Sequence, residues 1–415
     1  MAATIEDLRA KLKNPNPAEL ELMAQYASLP EDGRRARIFE AFALSGLPHR
    51  RLESWKWSDF RAALPELRPA SSSGSTALLR ADDAPLIAFR GKETLLPGGL
   101  PDGISLHQVG HSQAFGDAEE APLGALAAAL GRRSATLDTL IVEVTGKPDR
   151  PLHIEVDGCG AETQFARVAI VVRPGAELDL IESHIGGAGF SSVLLEIGMQ
   201  AGGAVRRTVL QRGGKDEAQA LTSLIHLGDE SDYTQTMLAF GAQVARIETR
   251  LVHQKPQSKA TLNAAYLCGD GYHADFTSHV RHGATHCVTR QTTKGAVLNG
   301  GKGVFQGKFL VPRDIGQHTD ADMQHQALLL EPGAEVFAKP ELEIYADDVE
   351  CAHGNTSGAL DPDQIFYLRQ RGLPLNQSRA MLTQAFVSEA LECADESVKA
   401  FLLGAAREFL SEVPE

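Results

Sequence analysis

A cysteine and a histidine stand two residues apart late in the chain, where Cys351 and His353 are followed by Gly354. In an extended strand such residues project from the same face about 6–7 Å apart, so the thiol and the imidazole could reach one soft metal centre. Iron–sulfur clusters usually take four protein ligands, and the sequence has no Cys-x-x-Cys pair to supply the others. The pattern predicts half of a metal site, completed by a second chain. The alternative for Cys351 is simple packing as a small apolar residue.

A second group of polar residues consists of His279, His282, His286 and Cys287. Their spacing would align them on a helix, as a shared metal site here would require. The surrounding residues favour strands, where the same spacing scatters the rings over both faces. We therefore expect structural roles for this group.

A third group, His318, Asp320 and Asp322, would share one face of a strand. Paired carboxylates are the groups that cleave glycosides, and Asp347 adds another nearby. A β-helix enzyme that degrades polysaccharides therefore stays open as an alternative function. Aromatic residues for a sugar cleft are few, at 6% of the chain, so we favour outward-facing polar side chains on a strand.

Composition excludes other classes of protein. The 415 residues carry a formal net charge of −14, which opposes binding to nucleic acid or to an anionic membrane surface. No apolar run is long enough to span a membrane, the N-terminus lacks the apolar core of a secretory signal, and the five widely spaced cysteines do not indicate a disulfide framework. We expect a cytoplasmic protein.

The common nucleotide-binding and hydrolase motifs are missing from the sequence. The glycines near Lys302 and Lys308 lack the spacing and the following Ser or Thr of a phosphate-binding loop. Neither a Gly-x-Ser-x-Gly nor a His-Glu-x-x-His motif occurs. Any ATP used with this protein would be bound by another chain.

The hydrophobic pattern divides the chain into three parts. Residues 1–135 indicate a mainly helical N-terminal domain with a linker near 71–76; residues 136–358 alternate apolar and polar positions; residues 359–415 return to helical spacing. This succession predicts a mainly β protein with a single-stranded β-helix, or solenoid, core between two α-helical domains. The apolar strand positions include Leu140/Val142/Val144, Leu152/Ile154/Val156, Val168/Ile170/Val172, Val193/Leu195/Ile197, Leu262/Ala264/Tyr266 and Phe305/Phe309/Val311.

Three helices are predicted in the C-terminal part, starting at Asp361, about Asn376 and about Asp395. Asp361 can cap a helix that has proline at its first position. We expect the three to pack on one end of the solenoid and to cap its last coil. The predicted buried faces carry Met381, Leu382, Ala385 and Phe386 in the second helix, and Val398, Phe401, Leu402 and Leu410 in the third.

The segment around His353 is part of a larger set of motifs. They are Lys339–Ile344, Ala346–Val349, Cys351–Gly354, Phe366–Arg369 and Arg371–Gly372, with Phe305, Gly307, Leu328–Leu330 and Trp55–Trp57 upstream. Together they resemble the SufB/SufD family of the SUF iron–sulfur cluster assembly system. SufB-like chains tend to have a glutamate after this histidine, whereas Gly354, Asn355 and Thr356 follow it here, and then Gly358. In this respect the chain resembles SufD more than SufB. Asn355 departs from the alanine usual in SufD.

The resemblance implies a fold, partners and a role. The fold is a β-helix core with helical domains on both sides. The protein would be a non-catalytic subunit that pairs with the scaffold SufB through the end of the β-helix and with the ATPase SufC through the C-terminal helical domain. No cofactor would be tightly bound, and a transient Fe–S cluster would form at the interface shared with SufB. Participation of a flavin and formation of a homodimer by the isolated chain stay open.

The resemblance also implies site residues. His353 matches the histidine that faces a SufB cysteine where the nascent cluster forms, and Cys351 is a second candidate ligand. Phe366, Tyr367 and Arg371 fall in the segment expected to bind SufC, with burial in a helix core as the alternative for the two aromatic residues. A further alternative is a purely structural partner that stabilises SufB without touching the cluster.

Overall fold

The computed structural model describes residues 4–31, 33–70, 84–91, 93–109, 121–131 and 139–411, so the linker predicted at 71–76 lies outside the described residues. The helices are α1 Ile5–Lys11, α2 Pro17–Ala27, α3 Gly33–Ser45, α4 Phe60–Ala63, α5 Pro122–Leu130, α6 Pro362–Gln370, α7 Leu375–Ser388 and α8 Glu396–Ser411. The strands are β1 Leu86–Arg90, β2 Glu93–Leu95, β3 Ile104–Val109, β4 Thr139–Val144, β5 Leu152–Asp157, β6 Ala161–Val172, β7 Glu177–His184, β8 Ala188–Met199, β9 Ala204–Gln211, β10 Ala218–Leu227, β11 Asp232–Ala239, β12 Val244–His253, β13 Lys259–Cys268, β14 His273–His282, β15 Val288–Val297, β16 Lys302–Val311, β17 Thr319–Leu329, β18 Glu335–Ile344 and β19 Val349–Gly358.

The strands build two sheets that face each other across one core. Sheet A has the order β19-β17-β15-β13-β11-β9-β7-β5-β1-β2, and sheet B has the order β18-β16-β14-β12-β10-β8-β6-β4-β3. From β4 onward successive strands enter alternate sheets, so two strands make one coil and neighbouring coils pair in parallel. The predicted mainly β solenoid is confirmed.

The sheets begin earlier in the chain than the residue 136 indicated by the pattern. β1 pairs in parallel with β5, and β3 pairs antiparallel with β4. The short segment β1 joins the solenoid because its Ile87 and Phe89 are buried in the same core as the later strands. Among the described residues between β3 and β4 lies α5, which packs on the outer face of sheet B.

The core lies between the two sheets and consists of side chains at alternate strand positions. Every apolar position predicted from β4, β5, β6 and β8 is buried there, and so are Tyr266 and Phe305. Two glycines make space for Tyr266, because an added Cβ would lie 2.0 Å from its ring at Gly295 and 2.4 Å from it at Gly303. The interior is thus filled by a large side chain opposite small ones.

The N-terminal helices are attached to sheet B through the two tryptophans. The guanidinium of Arg246 lies 3.8 Å from the Trp55 ring centroid, and the Trp57 ring stacks on Phe337 at 5.7 Å. Lys302 donates a hydrogen bond of 2.5 Å to the carbonyl oxygen of Trp57. The cation–π contact, the ring stack and the hydrogen bond together hold the helical domain against sheet B.

The C-terminal helices pack on the outer face of sheet A. Val387, Leu391, Val398 and Leu402 form one apolar cluster with Leu210, Leu238, Ala265 and Ala296 of the sheet. The predicted face of α8 is confirmed in Val398, Leu402 and Leu410. The predicted face of α7 is wrong for Met381 and Ala385, which are exposed, although Phe386 packs half-buried against the cluster. The buried residues of α7 are Ser378, Thr383 and Val387.

The prediction that these helices cap the last coil is also wrong. Residues of β19 are exposed or half-buried, β18 is half-buried along most of its length, and both strands are sheet edges. The helices pack elsewhere because the apolar outer positions of sheet A lie on earlier strands, whereas β19 turns Glu350 and Thr356 outward. We call the surface formed by β18 and β19 the open end. In the described part of the chain no helix is long and apolar enough to cross a membrane.

A buried ion pair lies inside the solenoid, far from the open end. Arg207 is fully buried and donates hydrogen bonds of 2.5 and 3.0 Å to Glu182 and of 2.8 Å to Ser223. Burial by itself raises the pKa of Glu182, but the charge of Arg207 and hydrogen bonds from His184 and Arg207 outweigh it and lower that pKa to about 2.

Glu182→Gln is therefore expected to destabilise the protein by about 3–5 kcal/mol, because it leaves the Arg207 charge buried without a partner. Asp179→Asn is the matched control: it removes the exposed partner of Arg206 between the same two strands and should cost less than about 1 kcal/mol. Denaturant unfolding measures the free energy of unfolding of both variants.

The contribution of Glu182 to stability should also depend on pH. Since the pKa of Glu182 is lower in the folded state, its stabilisation is present above the unfolded pKa and is lost as the pH falls toward 2. The difference in free energy of unfolding between wild type and Glu182→Gln should therefore decrease as the pH falls over that range.

Gly295→Ala is expected to destabilise the fold by about 1–3 kcal/mol, because the new methyl group overlaps the buried Tyr266 ring. Gly358→Ala serves as control, since Gly358 also lies in a strand and has no atom within 4 Å of an added Cβ. Thermal unfolding of the two variants checks this. Equal melting temperatures would contradict the packing described around Tyr266.

Candidate functional site

Cys351 and His353 lie on β19, the edge strand of sheet A. In register they pair with Ala321 and Met323 of β17, which are 1% and 0% exposed and belong to the core. Because strand side chains alternate in direction, Cys351 and His353 continue inward-facing columns of the solenoid. Cys351 is half-buried against the core, whereas His353 is exposed at the open end. The pair predicted from the sequence does share one face.

A methionine and a glycine form the floor beneath His353. Met323 is fully buried under it, and an added Cβ at Gly307 would lie 2.3 Å from the Met323 sulfur. Gly307 is therefore the residue that allows Met323 to occupy this position. The imidazole of His353 stands on a dry, close-packed surface rather than on a loop.

The next inward residue of β19 after His353 is Asn355, which joins a hydrogen-bond chain that runs into the core. Its Oδ1 lies 2.7 Å from Nδ1 of His325, whose Nε2 lies 3.0 Å from the Tyr266 hydroxyl. Burial lowers the pKa of His325 to about 4, so the ring is neutral near pH 7. Sequence reasoning missed this chain. The same alternation that aligned Cys351 with His353 could have placed Asn355 on the inward face, but not its partners on other strands.

The thiol of Cys351 is protonated in the isolated chain near neutral pH. Burial raises its pKa, and the nearby charge of Asp320 raises it further. A thiolate is the form that binds metals. Cys351 is thus a poor metal ligand until a cation or a partner lowers its pKa.

The acidic residues next to the site are already engaged. Asp320 forms an ion pair with Arg290, and Asp322 accepts a hydrogen bond of 2.9 Å from Gln324. His318 precedes β17 with a positive φ of 57° and pairs with Asp348 at 2.8 Å, so it does not share the strand face of the two carboxylates. The arrangement expected of a glycoside-cleaving pair is not assembled here.

The other histidine group is scattered, as its strand setting predicts. His279 faces outward from sheet B, His282 is buried in the interior, and His286 lies in a turn with φ of 57°. Among the described residues no three His, Cys, Asp or Glu side chains are arranged to hold a metal ion. Any metal bound at His353 therefore needs ligands from outside the described part of this chain.

A separate exposed surface lies on α6 and α7. Every residue of α6 is exposed or half-buried, and Phe366 and Tyr367 are 63% and 57% exposed, so they do not belong to a helix core. Arg371 donates a hydrogen bond of 2.8 Å to the Tyr367 hydroxyl and lies 5.1 Å from its ring centroid. Leu375 and Met381 of α7 are also about half exposed. We call these five residues the α6 surface.

The family assignment follows from residues 154–386, which match the model for the SUF system FeS cluster assembly, SufBD core domain. The chain belongs to the SufB/SufD family. Both β19 and α6 lie inside the matched range, and so does the whole of the Tyr266–His325–Asn355 hydrogen-bond chain. The resemblance stated from the motifs is confirmed.

Individual relatives agree with this assignment. The chain is similar to the iron–sulfur cluster assembly protein SufD of Escherichia coli, with 28% identity over 86% of this chain and 87% of the relative. It is similar to a SufBD family protein of Synechocystis, with 31% identity over 59% of this chain and 56% of the relative, and to the chloroplastic protein ABCI7 of Arabidopsis thaliana, with 29% identity over 54% and 48%. The match thus spans about half the length of the last two.

Proposed function

We propose that this chain is a SufD-type, non-catalytic subunit that builds iron–sulfur clusters in the cytoplasm together with a SufB scaffold and a SufC ATPase. The observation that carries the proposal is the open end. In a SufBD-family solenoid, the inward columns finish uncovered at Cys351 and His353. Iron and sulfide are the substrates of this site, and the cluster is its product rather than a resident cofactor.

A SufB chain is proposed to complete the site. One imidazole and one protonated thiol leave at least two ligand positions of a cluster open. The edge strands β18 and β19 also expose backbone groups that a second chain can pair with. Exposed Ile344 and Tyr345 at the end of β18 add apolar contact area. In the absence of SufB, a second copy of this chain is the natural occupant of the same surface.

SufC is proposed to bind the α6 surface. Exposed aromatic residues beside an arginine are the groups that dominate protein interfaces, and here Arg371 holds the Tyr367 ring in a fixed orientation. The helices of this domain contact β13 and β15, which are joined through β17 to β19 within sheet A. Movement of SufC on ATP hydrolysis would reach His353 along this sheet, without a nucleotide on this chain.

His353→Ala is expected to lower cluster yield at least about tenfold in a complex reconstituted anaerobically with SufB, SufC, iron, sulfide and ATP, because it removes a ligand. His318→Ala is the control, since it removes another exposed histidine that is paired with Asp348. Absorption spectroscopy measures the cluster. Size-exclusion chromatography confirms that the complex forms with each variant.

Two results would redirect the proposal. An intact complex with unchanged cluster yield in His353→Ala would leave this chain as a purely structural partner of SufB. Turnover of polygalacturonate by the isolated protein, abolished by Asp320→Asn, would instead support the polysaccharide-degrading alternative.

Phe366→Ala is expected to weaken SufC binding about tenfold or more, because a large exposed aromatic side chain is lost from the centre of the α6 surface. The melting temperature should not change, since Phe366 is 63% exposed. Tyr345→Ala is the matched control: it removes an exposed aromatic residue at the open end and should leave SufC binding intact. Calorimetric titration with SufC tests both variants. Equal affinity of wild type and Phe366→Ala would contradict this docking surface.

A further inference from the structure

The side-chain amide of Asn355 has a defined orientation. Its Oδ1 faces Nδ1 of His325 at 2.7 Å, and because a carboxamide oxygen can only accept, Nδ1 carries the proton. Nε2 of His325 then has a free lone pair and accepts from the Tyr266 hydroxyl at 3.0 Å. The hydrogen bonds run in one direction, from Tyr266 through His325 to the oxygen of Asn355.

Packing holds each member of this chain in place. The Phe305 ring stacks on His325 at 4.7 Å with an interplanar angle of 1°. Tyr266 is fully buried in the space left by Gly295 and Gly303. A ring fixed both at its face and at both nitrogens cannot easily turn over, so the proton on Nδ1 stays directed at Asn355.

The consequence lies at the open end. With Oδ1 held inward, the two N–H groups of the Asn355 amide are left for the exposed side of β19. His353 lies two residues away on the same face, at a spacing of about 6–7 Å. Sulfide and thiolate are anions that accept N–H hydrogen bonds, and such bonds to the sulfur atoms of a cluster raise its reduction potential. An imidazole ligand and an amide donor therefore stand side by side.

We propose that Asn355 donates a hydrogen bond to an anionic sulfur atom of the species bound at His353, and that His325 and Tyr266 act as positioning residues that orient its amide. This rests on the function proposed above and adds the recognition of sulfide or thiolate at the same site. If the hydrogen bonds of Tyr266, His325 and Asn355 only secured β19 to β17, their loss would lower the stability of the protein. The reduction potential of the bound cluster would then stay unchanged.

The test compares variants in the reconstituted complex with SufB and SufC. Asn355→Ala should still assemble, but its cluster should have a lower reduction potential and be lost to a chelator about tenfold faster than in wild type. Asn355→Asp, which replaces the donor with a negative charge, should lose it faster still. Ser357→Ala, at the next inward position of the same strand, is the control and should behave as wild type.

His325→Phe separates positioning from direct contact. It preserves the ring packed on Phe305 but removes the Nδ1 proton, so the amide of Asn355 becomes free to turn. We expect His325→Phe to lower the reduction potential less than Asn355→Ala does. The double variant His325→Phe/Asn355→Ala should have the same potential as Asn355→Ala alone. Unchanged potentials in His325→Phe, Asn355→Ala and the double variant would overturn the proposal, and so would equal effects of Asn355→Ala and Ser357→Ala.

A second measurement does not depend on cluster formation. Nitrogen-15 NMR of the histidine-labelled protein should show His325 as the neutral tautomer protonated at Nδ1, and an Nε2-protonated ring would overturn the proposal. The outcomes also distinguish the two proposals. If His353→Ala abolishes the cluster while Asn355→Ala leaves its potential unchanged, only this inference fails; if neither variant affects the cluster, the proposed function itself fails.

Discussion

Each coil of a solenoid buries its inward side chains against the next coil, and the last coil has no next coil. The rest of the structure depends on this constraint. Ala321 and Met323 are buried because β19 covers them, whereas His353 one coil later is exposed although it occupies the same column. The C-terminal helices do not remove the exposure, because they pack on the side of sheet A. The exposure of the proposed site is therefore a direct product of where the stacking stops.

The interior beneath the open end is built from complementary sizes. Tyr266 fits because Gly295 and Gly303 have no side chain, and Met323 fits because Gly307 has none. Three polar side chains can lie in this core because each has a hydrogen-bond partner: Tyr266 donates to His325, and His325 donates to Asn355. Further from the end, Arg207 and Glu182 satisfy the same requirement with opposite charges. The exposed residues of β19 thus lie on a close-packed floor.

Alternation of apolar residues was sufficient to predict the solenoid, since period two in strands is set by local geometry. It also predicted that Cys351 and His353 share a face. It did not predict the position of the helices, because α7 and α8 pack on sheet A residues that are distant from them in sequence. Met381 was assigned to the wrong face of α7 for this reason. The link between Tyr266, His325 and Asn355 extends over four strands of sheet A, from β13 to β19, so no local pattern contains it.

Hydrogen exchange tests most directly whether a partner completes the open end. In the isolated chain at low concentration, the backbone amides of β19 should exchange rapidly, because an edge strand leaves many of them unpaired. Addition of SufB should protect residues 335–358 and leave α6 unchanged, while SufC alone should protect α6 and leave β19 unchanged. Protection by SufB that appears elsewhere, with β19 still exchanging as in the isolated chain, would contradict the account.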